Sequence, residues 1–206
     1  LPRLLAACGD ADPWVRYYAA RSLGHQGRAE AVPALVGLAT GDGVPPVRIA
    51  AIDALAAIRA ESGLAALRPL ADDADPAVAR QALLALGQSS DPAALPPLLD
   101  ALRGGDRARR LAALDALADA GRHADAGAVA AVAPLARSVA DPELRARAVE
   151  VLASIGGEDA VAALIGVAEE PLRAGEVVEA LARLGEEQVP WVGRGLRHPD
   201  AAVRCA

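Results

Sequence analysis

DADPWVRYYAARSLG, running from Asp10 to Gly24, decides how the chain folds, because its pattern returns along the sequence. It comes back as VPPVRIAAIDALAAI from Val44, DADPAVARQALLALG from Asp73, GDRARRLAALDALADAG from Gly105 and ADPELRARAVEVLASIG from Ala140. A more diverged copy, EEPLRAGEVVEALARLG, starts at Glu169, and HPDAAVR at His198 opens another. Leu23, Leu55, Leu86, Leu117, Leu152 and Leu181 anchor the copies, 29 to 35 residues apart. Self-similarity at such a period is the sequence mark of a stacked repeat array.

Between these copies lies a second helical pattern with a proline near its start or middle. It reads AVPALVGLA from Ala31, LAALRPLA from Leu64, AALPPLLDAL from Ala93, AAVAPLARSV from Ala130, DAVAALIGVA from Asp159 and QVPWVGRGL from Gln188. Each unit is then a helical hairpin of about 30 residues that must stack on its neighbours to bury its apolar face. In the copies an Asp before Pro can cap the second helix, while Pro occupies the first turn, where no amide donor is lost. Composition agrees. Apolar residues make up 53% of the chain, yet there is no Phe, no Met, two Trp and two Tyr, so Ala, Leu and Val supply the volume. These side chains favour close helix packing over an aromatic-rich sheet core.

A proline-tolerant first helix, an Asp-Pro turn, then Val-Arg opening an Ala-rich second helix resembles the HEAT repeat, in particular its short bacterial form, the PBS-lyase HEAT-like repeat. The resemblance spans nearly the whole chain. It implies an all-α, right-handed α-solenoid, with residues 1–206 forming one array of about six hairpins and a truncated seventh, cut from a longer array. It also implies a ladder of charge-assisted hydrogen bonds between successive repeats. Asp12, Asp42, Asp75, Asp106 and Asp141 would serve as its turn acids, with Arg16, Arg48, Arg110 and Arg145 as its cations. The third copy departs, with Ala79 in the arginine place and Arg80 one residue late; the sixth has Glu170 before Pro171 and no Arg in register. The longest spacing puts extra residues, among them Arg122, His123 and Asp125, into a loop over 120–127.

In HEAT arrays the second helices line the concave side, which makes their exposed positions the expected binding surface. Counted from the Val of Val-Arg, the first, fifth and ninth places are apolar and the fourth, seventh and eleventh fall on the other side of the helix. The fifth place, Ala19, Ala51, Ala82, Ala113 and Ala148, should hold close contacts between hairpins. The seventh place reads Arg21, Asp53, Leu84, Asp115, Glu150 and Glu179, an acidic track suited to a basic protein or peptide. Trp14, Tyr17, Tyr18, Arg21 and His25 gather aromatics and cations near the N-terminus. Aromatics beside Arg have the composition of an interface hot spot. The alternative for this cluster is a simple cover over the end of the array.

Other chemistry finds little support. His25, His123 and His198 are far apart, and no His is followed by Glu, so neither a zinc site nor the di-iron centre of helical-repeat hydroxylases is expected. The serines lack a nucleophile-elbow pattern, and the Gly pairs follow no strand. A net charge of −6 repels phosphate backbones, which argues against nucleic acid. No apolar run approaches the roughly 18 residues of a membrane span. Cys8 and Cys205 lie at opposite ends and read as free thiols, compatible with a cytoplasmic setting. The expectation is a soluble, non-enzymatic scaffold without cofactor that binds a protein or peptide through Trp14, Tyr18, Arg21, His25, Asp53, Asp115, Glu150 and Glu179. The alternative is a bilin-handling, phycobiliprotein lyase-like protein using the N-terminal aromatic cluster.

Overall fold

The computed structural model describes residues 1–89, 91–120, 126–138, 140–168, 174–184 and 188–195. Every regular element among them is helical. The chain divides into two compact units, Leu1–Ala101 and Leu102–Ala206. The first holds α1 (Pro2–Ala7), α2 (Pro13–Gln26), α3 (Val32–Gly41), α4 (Pro45–Ile58), α5 (Glu61–Leu67) and α6 (Pro76–Gly87). α7 (Leu95–Gly104) carries the boundary. The second holds α8 (Arg107–Ala120), α9 (Ala126–Ala136), α10 (Pro142–Ile155), α11 (Gly157–Ala168), α12 (Ala174–Ala182) and α13 (Val189–Gly195).

Even-numbered helices are the second helices of the hairpins. In the first unit α2 packs on α4 and α4 on α6, while α3 packs on α5. In the second, α8 packs on α10 and α10 on α12, while α9 packs on α11 and α11 on α13. Like stacks on like within each unit, which is the α-solenoid arrangement. α1 has no counterpart in the repeat pattern, because its short PRLLAA run offers too little periodicity.

The aspartates at the helix starts do what their chemistry allows. Asp12 Oδ1 accepts the Trp14 N–H at 2.8 Å, and Asp75 Oδ1 accepts those of Ala77 and Val78 at 2.8 and 3.2 Å. Asp106 accepts from Arg109 N–H at 2.8 Å, and Asp141 from Glu143 and Leu144 at 3.1 Å each. α4 is the exception, for Val44 stands at its cap and offers no side-chain acceptor. α2 ends on Gly27 at φ 64°, where glycine is the easy choice, but α4 ends on Arg59 at φ 56°, a left-handed conformation unfavourable to a residue with a side chain.

The fifth-place alanines Ala19, Ala51, Ala82, Ala113 and Ala148 are all buried, as are the ninth-place leucines Leu23, Leu55, Leu86, Leu117 and Leu152. Small residues set how closely helices approach. A methyl group on Gly24 of α2 would lie 2.8 Å from both Cα and Cβ of Ala54 in α4, so the two backbones are nearly in contact there. The loop residues Arg122, His123 and Asp125, the Glu170–Pro171 start, the copy from His198 and Cys205 lie outside the described residues.

Candidate interaction surface

In the first unit the charged ladder runs through a different acid from the one before Pro. Arg16 of α2 donates from Nε and Nη2 to Asp42 at 2.6 and 2.9 Å, and from Nη1 to the Asp10 and Ala11 carbonyls. Arg48 of α4 donates from Nη1 to Asp73 at 3.0 Å and from Nη2 to its other oxygen, while its Nε binds the Ala39 carbonyl. Asp42 and Asp73 stand two residues before the helix cap, and each also accepts the N–H of the residue two ahead, Val44 and Asp75, at 2.9 Å. Arg48 thus pairs with Asp73, and Asp75 is left to cap its own helix. The Arg16 guanidinium holds the Asp42 carboxyl below the usual carboxylate range.

The second unit lacks that acid in its sequence: Gly104 and Val139 stand two residues before the caps Asp106 and Asp141. Arg107, at the Pro place of α8, instead bridges Asp141 at 2.6 Å and Glu143. The Nε of Arg110, expected on the ladder, is buried without a hydrogen-bond partner. Arg145 reaches Glu176 with two bonds of 3.0 Å.

On the second helices the fourth place is a contact between repeats and not, as the helical period predicts, part of the open side. Ala50 and Ala112 are buried there. Where the residue is long it reaches back to the seventh-place acid of the preceding second helix: Gln81 donates to Asp53 at 2.5 Å, and Arg147 pairs with Asp115 at 2.9 Å. Arg147 also bridges Glu150 at 2.9 Å, and Arg183 lies 3.9 Å from Glu179. All four acids of the track therefore already have partners. Asp53 has its pKa raised chiefly by burial, against the hydrogen bond from Gln81 and the nearby charge of Arg21.

The N-terminal cluster is unlike the rest of the surface. Trp14 and Tyr18 are 61% and 60% exposed, and Val15 is 38% exposed. Tyr17 meets Trp14 edge-on at 5.7 Å and Tyr18 edge-on at 5.2 Å, and the Arg21 guanidinium sits 5.8 Å over the Tyr17 ring. Tyr17 is thus the hub that holds the two exposed rings in place. His25 is exposed one turn further along.

Three overlapping stretches, residues 1–74, 41–118 and 95–175, match the sequence model of HEAT repeats. The chain belongs to the HEAT-repeat family. No curated protein matches it. Among solved structures, this HEAT array resembles the CpcE–CpcF complex of phycocyanin lyase from a Nostoc species, at 25% identity over 73% of this chain and 96% of that one, with a TM-score of 0.60. YibA of Escherichia coli is 17% identical over 99% of this chain and 78% of that one, with a TM-score of 0.64. A designed armadillo repeat protein is 21% identical over 100% and 95%, with a TM-score of 0.53. The last two show the fold alone.

No grouping of His, Cys, Asp and Glu suited to a metal ion occurs among the described residues of this HEAT array. No described helix is long and apolar enough to cross a membrane. Cys8 is a free, buried thiol whose pKa burial pushes up. A depression lined by Arg59, Glu61, Leu64, Ser89 and Asp91 carries both signs of charge. Arg59 and Asp91 are engaged there with the Gln88 carbonyl and Arg68.

Proposed function

We propose that this HEAT array is an interaction scaffold that binds a protein or peptide partner across its second helices, anchored by Trp14 and Tyr18. The carrying observation is the exposure of two rings braced by Tyr17 and flanked by Val15, Arg21 and His25. Rigid aromatics beside a cation gain contact area at small entropic cost, which is why such residues dominate binding energy at interfaces. Asp53, Asp115, Glu150 and Glu179 add a secondary, steering contribution toward a basic partner. Each is paired within the chain, so a basic ligand must compete with Gln81, Arg147 or Arg183 to bind it, and long-range attraction outweighs local affinity.

A peptide of alternating Lys and Arg is the first probe, titrated against the chain while following Trp fluorescence. Binding is expected to weaken with salt, as the Debye length falls below about 10 Å, and on joint replacement of the four acids by Asn or Gln. Joint Trp14→Ala and Tyr18→Ala replacement should weaken it further. Affinity indifferent to both sets of changes would remove the basis of this reading. The second reading, a chromophore-handling protein, is supported by the likeness to phycocyanin lyase subunits. A bilin added to the chain should then change its absorbance in a Trp14-dependent way.

A further inference from the structure

Four residues after the anchor leucine the repeat favours glycine. Gly27, Gly121, Gly156 and Gly185 stand there, while Arg59 and Ser90 replace it after Leu55 and Leu86. The reason lies in the backbone, for Gly27 and Gly156 have φ of 64° and 66°, and Arg59 shares that left-handed region at 56°. A side chain makes this conformation unfavourable. α4 thus ends on an arginine where the turn itself favours none, and strain kept against a local preference directs attention to what the side chain does.

Arg59 lines a depression of about 360 Å³ together with Glu61, Leu64, Ser89 and Asp91, all within the first unit. That volume is at the small end of ligand sites. Its polar groups are not equally occupied. Asp91 is committed, with one oxygen accepting the Ala93 N–H at 2.9 Å and the other taking Arg68 at 3.0 Å. Ser89 Oγ accepts the Asp91 N–H at 3.0 Å, which leaves its hydroxyl proton to donate. Arg59 makes one bond, from Nη2 to the Gln88 carbonyl at 3.3 Å, and its Nε and Nη1 have no partner among the described residues. Glu61 is exposed and has neither a hydrogen bond nor an ion pair among the described residues. A cation and an anion two residues apart therefore line one depression without pairing, each with bonding capacity left. Leu64, 8% exposed, adds apolar surface.

We infer that this depression binds a small aliphatic zwitterion. The Arg59 guanidinium and the Ser89 hydroxyl donate to its carboxylate, Glu61 accepts from its ammonium group, and its hydrocarbon part lies on Leu64. A guanidinium fork matches a carboxylate, and an ammonium group, which only donates, needs an acceptor such as Glu61. A ligand that is only anionic meets the charge of Glu61, and one that is only cationic meets that of Arg59, so a molecule carrying both signs fits best. None of these residues belongs to the proposed partner contact, and the inference stands without it.

L-Leucine and 6-aminohexanoate, which hold the two charges at short and long separation, are titrated against the full chain by isothermal calorimetry, with hexanoate and hexylamine as single-charge controls. At least one zwitterion should bind saturably, about tenfold or more tighter than either control, as expected when a charged hydrogen-bonding group is removed. Glu61→Gln should weaken that zwitterion to the level of hexanoate. Arg59→Gly should abolish binding without lowering the denaturation midpoint, since glycine suits the turn. The inference is overturned if neither zwitterion saturates, if a control binds as tightly, or if binding survives Arg59→Gly or Glu61→Gln. It is also overturned if Arg59→Gly lowers the midpoint, because the arginine is then held for its bond to Gln88 and not for a ligand.

Discussion

The two units solve the same problem, tying one second helix to the next, with different electrostatics. In the first, Arg16–Asp42 and Arg48–Asp73 are enclosed, with side chains 3–16% exposed, and each acid also holds a turn. In the second, Arg107 is 55% exposed and Glu143 66%, and the Arg145 guanidinium meets a helix residue, Glu176, instead of a turn acid. An acid two residues before the cap can serve a turn and an arginine together; that place holds Asp42 and Asp73 before α4 and α6, but Gly104 and Val139 before α8 and α10. The comparison teaches that the alanine and leucine places carry the stacking throughout, while the ladder is a local reinforcement.

The largest effect expected from this contrast lies in the first unit. Asp73→Ala strands the Arg48 guanidinium in a partly enclosed site and removes the Asp75 turn, and should cost on the order of 2–3 kcal/mol. Chemical denaturation of the full chain measures it, with Glu143→Ala as the matched exposed change, which should move the midpoint far less. Equal shifts would mean that enclosure does not distinguish the two units.

Packing offers a test in which the units should behave alike. Ala113→Leu in α8 puts a larger side chain at a fully buried fifth-place position, and should cost about 1–3 kcal/mol by overpacking. Gly24→Ala in α2 should fall in the same range, because its new methyl would sit 2.8 Å from Ala54 Cα, and helical backbone yields little. If Ala113→Leu is neutral, the fifth place is not a stacking contact in the second unit.

These packing places were legible in the sequence because they depend only on helical period. Ala19 through Ala148 and Leu23 through Leu152 fall where a 3.6-residue repeat puts them, and the caps at Asp12, Asp75, Asp106 and Asp141 follow from Asp at a helix start. The ladder was not fully legible. Choosing Asp73 over Asp75 for Arg48 requires knowing how far a guanidinium reaches across two stacked helices, and the two acids are equivalent in a one-dimensional pattern. The pairing of Arg145 with Glu176 is hidden for the same reason, since Glu176 sits inside a helix at a place otherwise held by Ala, Gln, Arg or Tyr. The acidic track was visible as a pattern, but its partners Gln81 and Arg147 occupy the fourth place, which only packing shows to face the preceding helix.

Acid should separate two carboxylates of the first unit by sign. Asp42 has a folded pKa below its unfolded value, so the unfolded chain binds more protons as the pH falls. Its contribution is complete above the ordinary aspartate range and is lost as the pH drops through the folded value. Asp53 has a raised pKa, so its charge costs stability at neutral pH, and that cost is relieved on protonation. Denaturation midpoints followed from about pH 6 to pH 3 should therefore fall less steeply in Asp42→Asn and more steeply in Asp53→Asn than in the parent. The same slope in all three would mean that neither carboxylate is coupled to folding.

The smallest effect concerns the exposed pairs of the second unit, and it bears directly on the acidic track. Arg147 touches both Asp115 and Glu150, with side chains 31–50% exposed, so solvent screens each contact. A double-mutant cycle of Arg147→Ala with Asp115→Ala should return a coupling of about 0.2–1 kcal/mol, declining with salt. Removing Arg147 also frees two acids while leaving the stacking residues untouched. Arg147→Ala should accordingly raise the affinity for the Lys-Arg peptide even as it slightly lowers stability. If it leaves that affinity unchanged, Asp115 and Glu150 do not take part in binding, and the partner contact is confined to the aromatic end of the first unit.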